Sequence, residues 1–367
     1  MIQVLHVMAR MAPGGTEHQL IGMLGSAHGR HWTSALCVLS SGWELTRVAK
    51  ASGVPVFEID GSSRLDVSRA RRLRGLFGEV DVVHSSLPLA NLFSQMLNRK
   101  RNGPALVVSE RGVDNQRPPW MKLANRVMRS STDAFVGNSP AVTSFIRKTY
   151  GLGPNDSRVF EVPNGIDSNL FYPAPSSHLD RPQRLLGIGR LIASKRFDRA
   201  ISLLPRLNKA TAVELILIGD GPERGRLELL AEGLPVTFLG QVSERRAVAQ
   251  TLREADLLVM PSASEGYPNA VLEAIACGIP VVASDIPGIR PAAGPGVTLV
   301  EESDDAWYRA IVTALETGPI LTPGLEGRVL SFDEVARRHL AVFWSALRRR
   351  GKAGADAGRS LEPQESR

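Results

Sequence analysis

Short runs of consecutive apolar residues recur along the chain, separated by longer amphipathic stretches. Such runs predict strands at residues 2–9, 34–40, 55–60, 80–86, 105–111, 133–139, 158–165, 184–191, 214–221, 236–242, 256–262, 280–284 and 296–300. The segments between them, such as 16–28, 140–150, 222–232 and 268–277, have the composition and length of helices. Consecutive apolar positions are typical of parallel strands covered on both faces, so the pattern predicts an α/β protein with doubly wound parallel sheets.

The chain divides into two predicted domains. Twelve or more strands are too many for one compact sheet, and 367 residues suffice for two cores. Residues 165–183 are rich in Pro, Ser and Asp and have no apolar period, so we place the domains at 1–172 and 173–331. A long helix is predicted at 332–350. The tail 351–367 has almost no large apolar residues and is predicted to be disordered.

The charge of the chain is unevenly distributed. Its formal net charge is +7, and residues 1–172 carry 20 Lys and Arg against 13 Asp and Glu, whereas residues 173–350 carry 21 of each kind. The excess predicts that the first domain meets an anionic partner, such as a membrane surface, a phosphorylated acceptor or nucleic acid. Solvated arginines on helix faces are an equally good explanation. Aromatic residues make up only 5% of the chain and do not alternate with the cations, which argues against nucleic acid.

Several features predict a cytoplasmic protein. No apolar run reaches the roughly 18 residues needed to span a bilayer. The first residues do not resemble a signal peptide, because His6 and Arg10 interrupt a short apolar core. Cys37 and Cys277 are the only cysteines, too few for a disulfide framework or a zinc site.

Two glutamates flank the start of a predicted helix in "SASEGYPNAVLEAIACG". Pro268 suits a first helical turn, so Glu265 lies in the preceding loop and Glu273 lies on the helix. Ligands of open parallel sheets bind beyond the carboxyl ends of strands, and this loop follows a predicted strand. The ordinary interpretation places both carboxylates on the surface. It does not account for Glu273, whose helix is otherwise apolar and which would need a partner.

The same stretch can bind an extended polar ligand. Two carboxylates spaced along a helix N-terminus can accept hydrogen bonds from sugar or ribose hydroxyls. The backbone N–H groups of Gly266, Tyr267 and Asn269 can hold a phosphate between them. We therefore interpret this stretch as a binding site.

Two further motifs follow predicted strands. In "GIGRLIASKRFD", Arg190 and Lys195 are suited to a diphosphate, although two cations near a turn are common. In "APGGTEHQL", Gly14 and Gly15 open a helix, as in phosphate-binding turns, although a tight turn alone explains them. Neither motif has the spacing of the dinucleotide fingerprint.

Taken together, these motifs resemble the GT-B glycosyltransferases of family 4, which are retaining enzymes that use sugar nucleotides. "EGYPNAVLE" is similar to the E-x7-E motif of that family, "GRLIASKRFD" to its G-R-L-x3-K-x2-D motif, and "GGTEHQL" to its N-terminal glycine loop. "VPNGID", "LIGDGPE", "FLGQV" and "ACGIPVVAS" fall where the family has similar stretches, so the resemblance covers residues 1–345 in colinear order.

The resemblance implies two Rossmann-like domains facing a cleft, with the helix at 332–350 rejoining the first. Arg190 and Lys195 would bind the donor diphosphate opposite the amide of Gly15, and Glu273 would bind the ribose. The remaining donor contacts would be Glu265 with the backbone of Gly266, Tyr267, Pro268 and Asn269 at the sugar, and Gln241 and Val242 at the base. Catalysis would depend on Glu265, Arg190 and Lys195. No metal or other cofactor is expected, and the chain contains no D-x-D motif.

The acceptor side departs from the family pattern. Many relatives have a histidine after the fifth strand, where this chain reads "VVSERGVD". A similar stretch occurs in bacterial transferases that extend lipid-linked glycans with hexose or N-acetylhexosamine. Arg111 is then a candidate for contact with the leaving phosphate or the acceptor, and Glu110 a candidate partner of Arg111. His84, at the end of the strand 80–86, is a further candidate, although a lone histidine is more often structural.

Two basic amphipathic stretches, 110–131 and 64–77, fit contact with an anionic membrane. The expected location is therefore the cytoplasm, at the inner face of the plasma membrane, and the expected acceptor is a glycan or lipid-linked saccharide in cell-surface polysaccharide synthesis. Ordinary packing of these helices on the sheet is the alternative.

Three other functions stay open at this point. A nucleotide-sugar epimerase of the same fold would need more carboxylates and a histidine around the sugar. A basic nucleic-acid-binding protein is suggested by the pI alone. A scaffold without activity would not need both motif glutamates and both motif cations, which this chain has. The leading hypothesis is a retaining glycosyltransferase with a donor that is UDP-linked by default.

Overall fold

The computed structural model describes residues 1–28, 30–61, 66–98, 103–114, 117–173, 181–318 and 329–351. The predicted tail 351–367 lies outside this part of the chain except for its first residue. Every strand predicted from the apolar runs is present. The strands are β1 (Gln3–Met8), β2 (Thr33–Val38), β3 (Val56–Glu58), β4 (Val82–Ser86), β5 (Ala105–Glu110), β6 (Ala134–Gly137), β7 (Val159–Glu161), β8 (Gly165–Ile166), β9 (Gln183–Ile188), β10 (Val213–Ile218), β11 (Val236–Gly240), β12 (Leu257–Met260), β13 (Val281–Ser284), β14 (Val297–Val300) and β15 (Leu330–Ser331).

Helices alternate with most of the strands, except that β7, β8 and β9 follow one another and no α-helix separates β13 from β14. They are α1 (Gly15–Ala27), α2 (Glu44–Ala51), α3 (Val67–Phe77), α4 (Pro88–Leu97), α5 (Pro119–Met128), α6 (Pro140–Tyr150), α7 (Phe197–Leu207), α8 (Arg224–Leu230), α9 (Arg245–Glu254), α10 (Asn269–Ala276), α11 (Asp304–Thr317) and α12 (Phe332–Arg349). None of these helices has the length and apolar character needed to cross a bilayer, within the residues described.

The chain forms two compact units. The first combines Met1–Gly165 with α12, and the second comprises Ile166–Ser331. The first unit therefore ends inside the segment 165–183 that lacks an apolar period. The two predicted doubly wound sheets are confirmed, one in each unit.

The sheet of the first unit has seven parallel strands in the order β3-β2-β1-β4-β5-β6-β7. Its central strands are buried along their whole length, which explains their uninterrupted apolar runs. Helix α12 packs closely on α1, because a Cβ atom at Gly22 would lie 2.2 Å from the ring of Phe332. A side chain larger than hydrogen at position 22 would force the Phe332 ring to move.

The sheet of the second unit has six parallel strands in the order β11-β10-β9-β12-β13-β14. The order reverses between β9 and β12, so the chain leaves these two neighbouring strands toward opposite sides of the sheet. Such a reversal opens a crevice at the carboxyl ends of the strands, where ligands of open α/β sheets bind. Both motifs with candidate donor residues follow these two strands.

Candidate functional site

The loops that follow β9 and β12 lie side by side at the reversal point of the second sheet. The backbone N–H of Ala263 in the second loop donates a hydrogen bond to the carbonyl of Ser194 in the first, at 2.8 Å. This contact joins the stretch that carries Arg190 and Lys195 to the stretch that carries Glu265. The sheet order thus brings together residues that are about 70 positions apart in the sequence.

Lys195 and Glu265 form an ion pair at this junction. The Nζ atom of Lys195 lies 2.5 Å from Oε1 of Glu265, and the two side chains are 18% and 11% exposed. Arg190 lies exposed at the end of β9, on the same loop as Lys195. The site therefore presents two cations and one carboxylate that ligand groups can reach.

Three glycines allow the loops of this site to pack backbone against backbone. A Cβ atom at Gly219 would lie 1.9 Å from the carbonyl oxygen of Gly189, and one at Gly221 would lie 2.3 Å from that of Leu191. A Cβ atom at Gly288 would lie 2.0 Å from the carbonyl oxygen of Glu265. Any side chain at these positions would displace the loops that carry the charged residues. The sequence pattern did not reveal this role.

Glu273 is buried on α10, with 4% of its surface exposed. The sequence predicts that a buried Glu273 needs a partner, and the structure supplies one that was not predicted. The guanidinium of Arg245, the first residue of α9, forms a salt bridge with the Glu273 carboxylate. That guanidinium also lies 4.9 Å from the ring centroid of Phe171. Arg245 therefore neutralises the buried carboxylate.

A cavity of about 380 Å³ lies beside this salt bridge. Its lining includes Arg245 together with Asp167, Asn169, Leu170, Glu244 and Arg246. All of these residues belong to the second unit. Movement of the Arg245 side chain would therefore change both the cavity and the carboxylate of Glu273.

The remaining donor candidates lie in three places. Gln241 is exposed just after β11, and Val242 is half-buried against the core of the second unit. Residues 266–269 connect Glu265 to α10, with Pro268 as the N-cap of that helix. Gly15 belongs to the first unit, where it is the exposed first residue of α1.

His84 is a core residue, which corrects its prediction as an acceptor-side candidate. Only 2% of its surface is exposed. Its Nδ1 lies 3.0 Å from Nδ1 of His6, its Nε2 lies 2.7 Å from Oγ of Ser109, and its ring centroid lies 5.4 Å from that of His339. Burial, and then the neighbouring His6 and His339, hold the pKa of His84 well below its usual value. The imidazole is therefore a neutral part of the core.

Glu110 does not pair with Arg111, which corrects the second acceptor-side prediction. Its carboxylate accepts two hydrogen bonds from Arg117, both at 2.9 Å, and one from the Tyr150 hydroxyl at 2.9 Å. The Glu110 and Arg117 side chains are 3% and 1% exposed. Glu110 is thus half of a buried structural ion pair. Arg111, the next residue, donates instead to the side chain of Asn164.

Two family models match the chain. The model described as "Glycosyltransferase Family 4" matches residues 13–170, and "Glycosyl transferases group 1" matches residues 182–317. Together they cover most of both units.

Curated relatives are glycosyltransferases by name. A GDP-mannose-dependent alpha-(1-6)-phosphatidylinositol dimannoside mannosyltransferase of Mycobacterium tuberculosis is 40% identical over 131 residues. The match spans about a third of the length of that relative, 34% of each chain. D-inositol 3-phosphate glycosyltransferase 1 of Catenulispora acidiphila is 29% identical over 309 residues, which are 74% of this chain and 73% of the relative.

Solved structures share the fold over almost the whole chain. A glycosyltransferase from Rickettsia africae superposes with a TM-score of 0.76 at 16% identity, covering 94% of this chain and 98% of the other. HepE of Anabaena in complex with UDP-glucose superposes with a TM-score of 0.73 at 18% identity, covering 96% and 99%. The architecture is therefore the GT-B fold.

Proposed function

The chain belongs to glycosyltransferase family 4, and we propose that it transfers a hexose or N-acetylhexosamine from a nucleoside-diphosphate sugar to a hydroxyl group of a glycan or lipid-linked saccharide. The observation that carries this proposal is the pair of charge contacts in the second unit, Lys195 with Glu265 and Arg245 with Glu273. Both lie beyond the carboxyl ends of parallel strands. In each contact, the polar groups of one extended ligand can replace one of the two charged partners.

The donor would replace these contacts one by one. Lys195 and Arg190 bind the diphosphate, so Lys195 leaves Glu265, and the carboxylate becomes available to a hydroxyl of the transferred sugar. Glu273 accepts hydrogen bonds from the ribose in place of Arg245. The backbone of residues 266–269 would contact the transferred sugar together with Glu265, and Gln241 and Val242 would contact the base. Before the donor binds, Lys195 balances the charge of Glu265 and Arg245 balances that of Glu273.

The transfer would retain the anomeric configuration. The two cations neutralise the negative charge that develops on the leaving diphosphate, which is the role a divalent metal has in other transferases. A departing phosphate oxygen can accept the proton of the acceptor hydroxyl, so no protein base is required. Cell-surface polysaccharide synthesis is the process that this chemistry fits. We propose a uridine donor, while relatives and fold neighbours are named for GDP-mannose and UDP-glucose.

Calorimetric titration with UDP, GDP, ADP and UDP-N-acetylhexosamine, first without metal and then with magnesium, tests the donor site. We expect metal-independent binding of one nucleoside diphosphate. Glu273→Ala should weaken it at least about 30-fold, because hydrogen bonds to a carboxylate contribute about 1.5–3 kcal/mol each. Arg245→Ala is the matched variant, and it should bind equally or more tightly because it removes the competitor for Glu273.

Equal affinity of Glu273→Ala and the native protein would contradict the ribose assignment. If the native protein bound none of these nucleotides, the glycosyltransferase proposal itself would be wrong.

Helix α5 fits contact with an anionic membrane. Trp120, Leu123 and Val127 lie on one helical face and are 59%, 65% and 66% exposed. Arg126 and Arg129 are exposed beside them. An apolar stripe flanked by cations is typical of helices that lie in a membrane interface. We propose that the first unit binds the membrane through this face.

The second basic stretch, 64–77, behaves differently. Its described helix, α3, buries Leu73 and Phe77 against the sheet and exposes Arg71, Arg72 and Arg74. The described part of this stretch has exposed cations but no apolar stripe. We therefore propose that it contributes at most electrostatic attraction to an anionic membrane.

Vesicle sedimentation tests the α5 surface. Trp120→Ser with Leu123→Ser should weaken binding to phosphatidylglycerol vesicles about 20- to 500-fold. Each large apolar side chain contributes about 1.5–3 kcal/mol on full burial, and these two are 59% and 65% exposed before binding. Leu229→Ser is the control, because Leu229 is 75% exposed in the second unit. Equal sedimentation of the double variant and the control would exclude α5 as the contact.

A further inference from the structure

Arg111 carries a charge that no acidic side chain of the described residues balances. It follows β5 directly, at the carboxyl edge of the first sheet. Its Nη1 donates to Oδ1 of Asn164 at 3.2 Å, and its buried Nε has no hydrogen-bond partner among the described residues. Within that part of the chain, no carboxylate lies within ion-pair distance of the guanidinium. Burial lowers the pKa of Arg111 to about 10.

The neighbouring Arg117 is a buried arginine with a purely structural role, and its contacts differ from those of Arg111. Arg117 forms a bidentate ion pair with the Glu110 carboxylate. Its guanidinium carbon lies 5.3 Å from the ring centroid of Phe145. Although burial opposes it, the hydrogen bonds to Glu110 hold the pKa of Arg117 above its usual value. Of these two arginines, six positions apart, only Arg117 has a carboxylate partner among the described residues.

The described side chains that interact with Arg111 are neutral. Asn138, which follows β6, donates to the Arg111 carbonyl at 3.4 Å and to Asn164 Oδ1 at 3.3 Å. The imidazoles of His84 and His339 lie close enough for the guanidinium to lower their pKa further. An uncompensated charge in such a position is costly unless a ligand supplies the anion. The planar fork of arginine matches a phosphate geometrically.

We propose that Arg111, with Asn138 and Asn164 beside it, binds a phosphate group carried by the acceptor. The proposal rests on the proposed glycosyl transfer. The phosphate is assigned to the acceptor because the charged donor residues, Arg190, Lys195, Glu265 and Glu273, all belong to the second unit, whereas Arg111 belongs to the first. The phosphate can come from a soluble phosphomonoester or from a lipid, and both present the same oxyanion.

Inorganic phosphate is the probe for this site. Melting temperatures are measured against phosphate concentration, with sodium chloride of equal ionic strength as the reference, because a ligand that binds the folded state stabilises it. We expect a saturable rise for the native protein and at least a tenfold loss of phosphate affinity in Arg111→Gln. Asn164→Asp is the sharper variant, since it keeps the acceptor oxygen of Asn164 and places a carboxylate opposite the guanidinium. It should fold, match or exceed the native melting temperature, and lose the phosphate response.

Nucleoside-diphosphate titrations of the same variants separate this site from the donor site. Unchanged nucleotide affinity in Asn164→Asp, together with the lost phosphate response, supports the proposal. A native-like phosphate response in both variants overturns it, and so does a parallel loss of nucleotide affinity, which would make the anion the donor diphosphate. If the native protein bound no nucleotide, the glycosyltransferase proposal would fail independently of Arg111.

Two further arms identify the source of the phosphate. Glycerol 3-phosphate represents a soluble phosphomonoester, and vesicles with phosphatidic acid represent a lipid phosphate. A rise in melting temperature that depends on Arg111 with either ligand supports the site and identifies the source of the phosphate. Stabilisation in neither arm, despite a response to inorganic phosphate, overturns the assignment to an acceptor.

Discussion

Lys195→Ala is expected to lower the turnover of the sugar nucleotide about 100- to 1,000-fold, which is the loss seen when a group aimed at developing charge is removed. The ammonium of Lys195 lies 2.5 Å from Glu265 Oε1 and would move to the diphosphate when the donor binds. There it would stabilise the leaving group as the bond between the sugar and the diphosphate breaks. Release of nucleoside diphosphate, with water as acceptor, measures the rate without knowledge of the natural acceptor.

The matched control for this variant is Lys209→Ala, which removes an exposed lysine from the same unit. Lys195→Arg keeps the positive charge but replaces the ammonium with a planar guanidinium. We expect its rate to lie between those of Lys195→Ala and the native protein. Because Lys195→Ala leaves the carboxylate of Glu265 without its counter-ion, the double variant with Glu265→Gln should recover part of any lost thermal stability but none of the rate. Turnover of Lys195→Ala within threefold of the native rate would contradict the assignment.

The layered architecture could be predicted from the sequence because it depends on local patterns. Consecutive apolar residues mark strands that are buried on both faces, and these runs coincide with the strands of the two sheets. Glu265 and Glu273 could also be placed, one in a loop and one on a helix, because Pro268 and the apolar period mark where α10 begins. Features that a single segment determines by itself could therefore be predicted.

Contacts between distant segments could not be predicted in this way. Arg245 meets Glu273 only because α9 and α10 pack together, and no spacing in the sequence links the two residues. The pairing of Glu110 with Arg117 depends on the loop after β5, so a short sequence separation did not distinguish Arg117 from Arg111 as the partner. Gly288 looks like an ordinary turn glycine until the backbone of Glu265 is found against it.

The histidine cluster is another case that only the sheet order explains. His6 on β1 and His84 on β4 are direct neighbours in the parallel register, and α12 brings His339 to them. His6 and His339 are 1% and 0% exposed. A lone histidine in a strand gives no sign of such neighbours, so the sequence made His84 a candidate for the acceptor side.

This cluster predicts that acid destabilises the first unit well above the range in which carboxylates titrate. Burial, then the neighbouring His339 and His28, lowers the pKa of His6 to about 3. Burial, then Arg111, lowers the pKa of His339 to about 3. The unfolded chain keeps the ordinary value of 6.5, so below that pH it binds protons that the folded chain does not, and stability falls as pH falls. Each histidine costs about 2 kcal/mol at pH 5 relative to pH 7.5, or about 4 kcal/mol for the two.

Urea unfolding at pH 7.5 and pH 5.0, followed by tryptophan fluorescence, measures this loss. Trp32, Trp43, Trp120 and Trp344 belong to the first unit and Trp307 to the second, so the signal reports mainly the unit with the cluster. His339→Leu removes one buried imidazole and should lose about 2 kcal/mol less than the native protein over the same interval. Carboxylates do not mimic this effect, because those with a lowered pKa, such as Asp156 at about 2, lose their contribution only below pH 4. An equal loss in both proteins would mean that His339 takes up its proton without unfolding, and that the core around Arg111 admits a second positive charge.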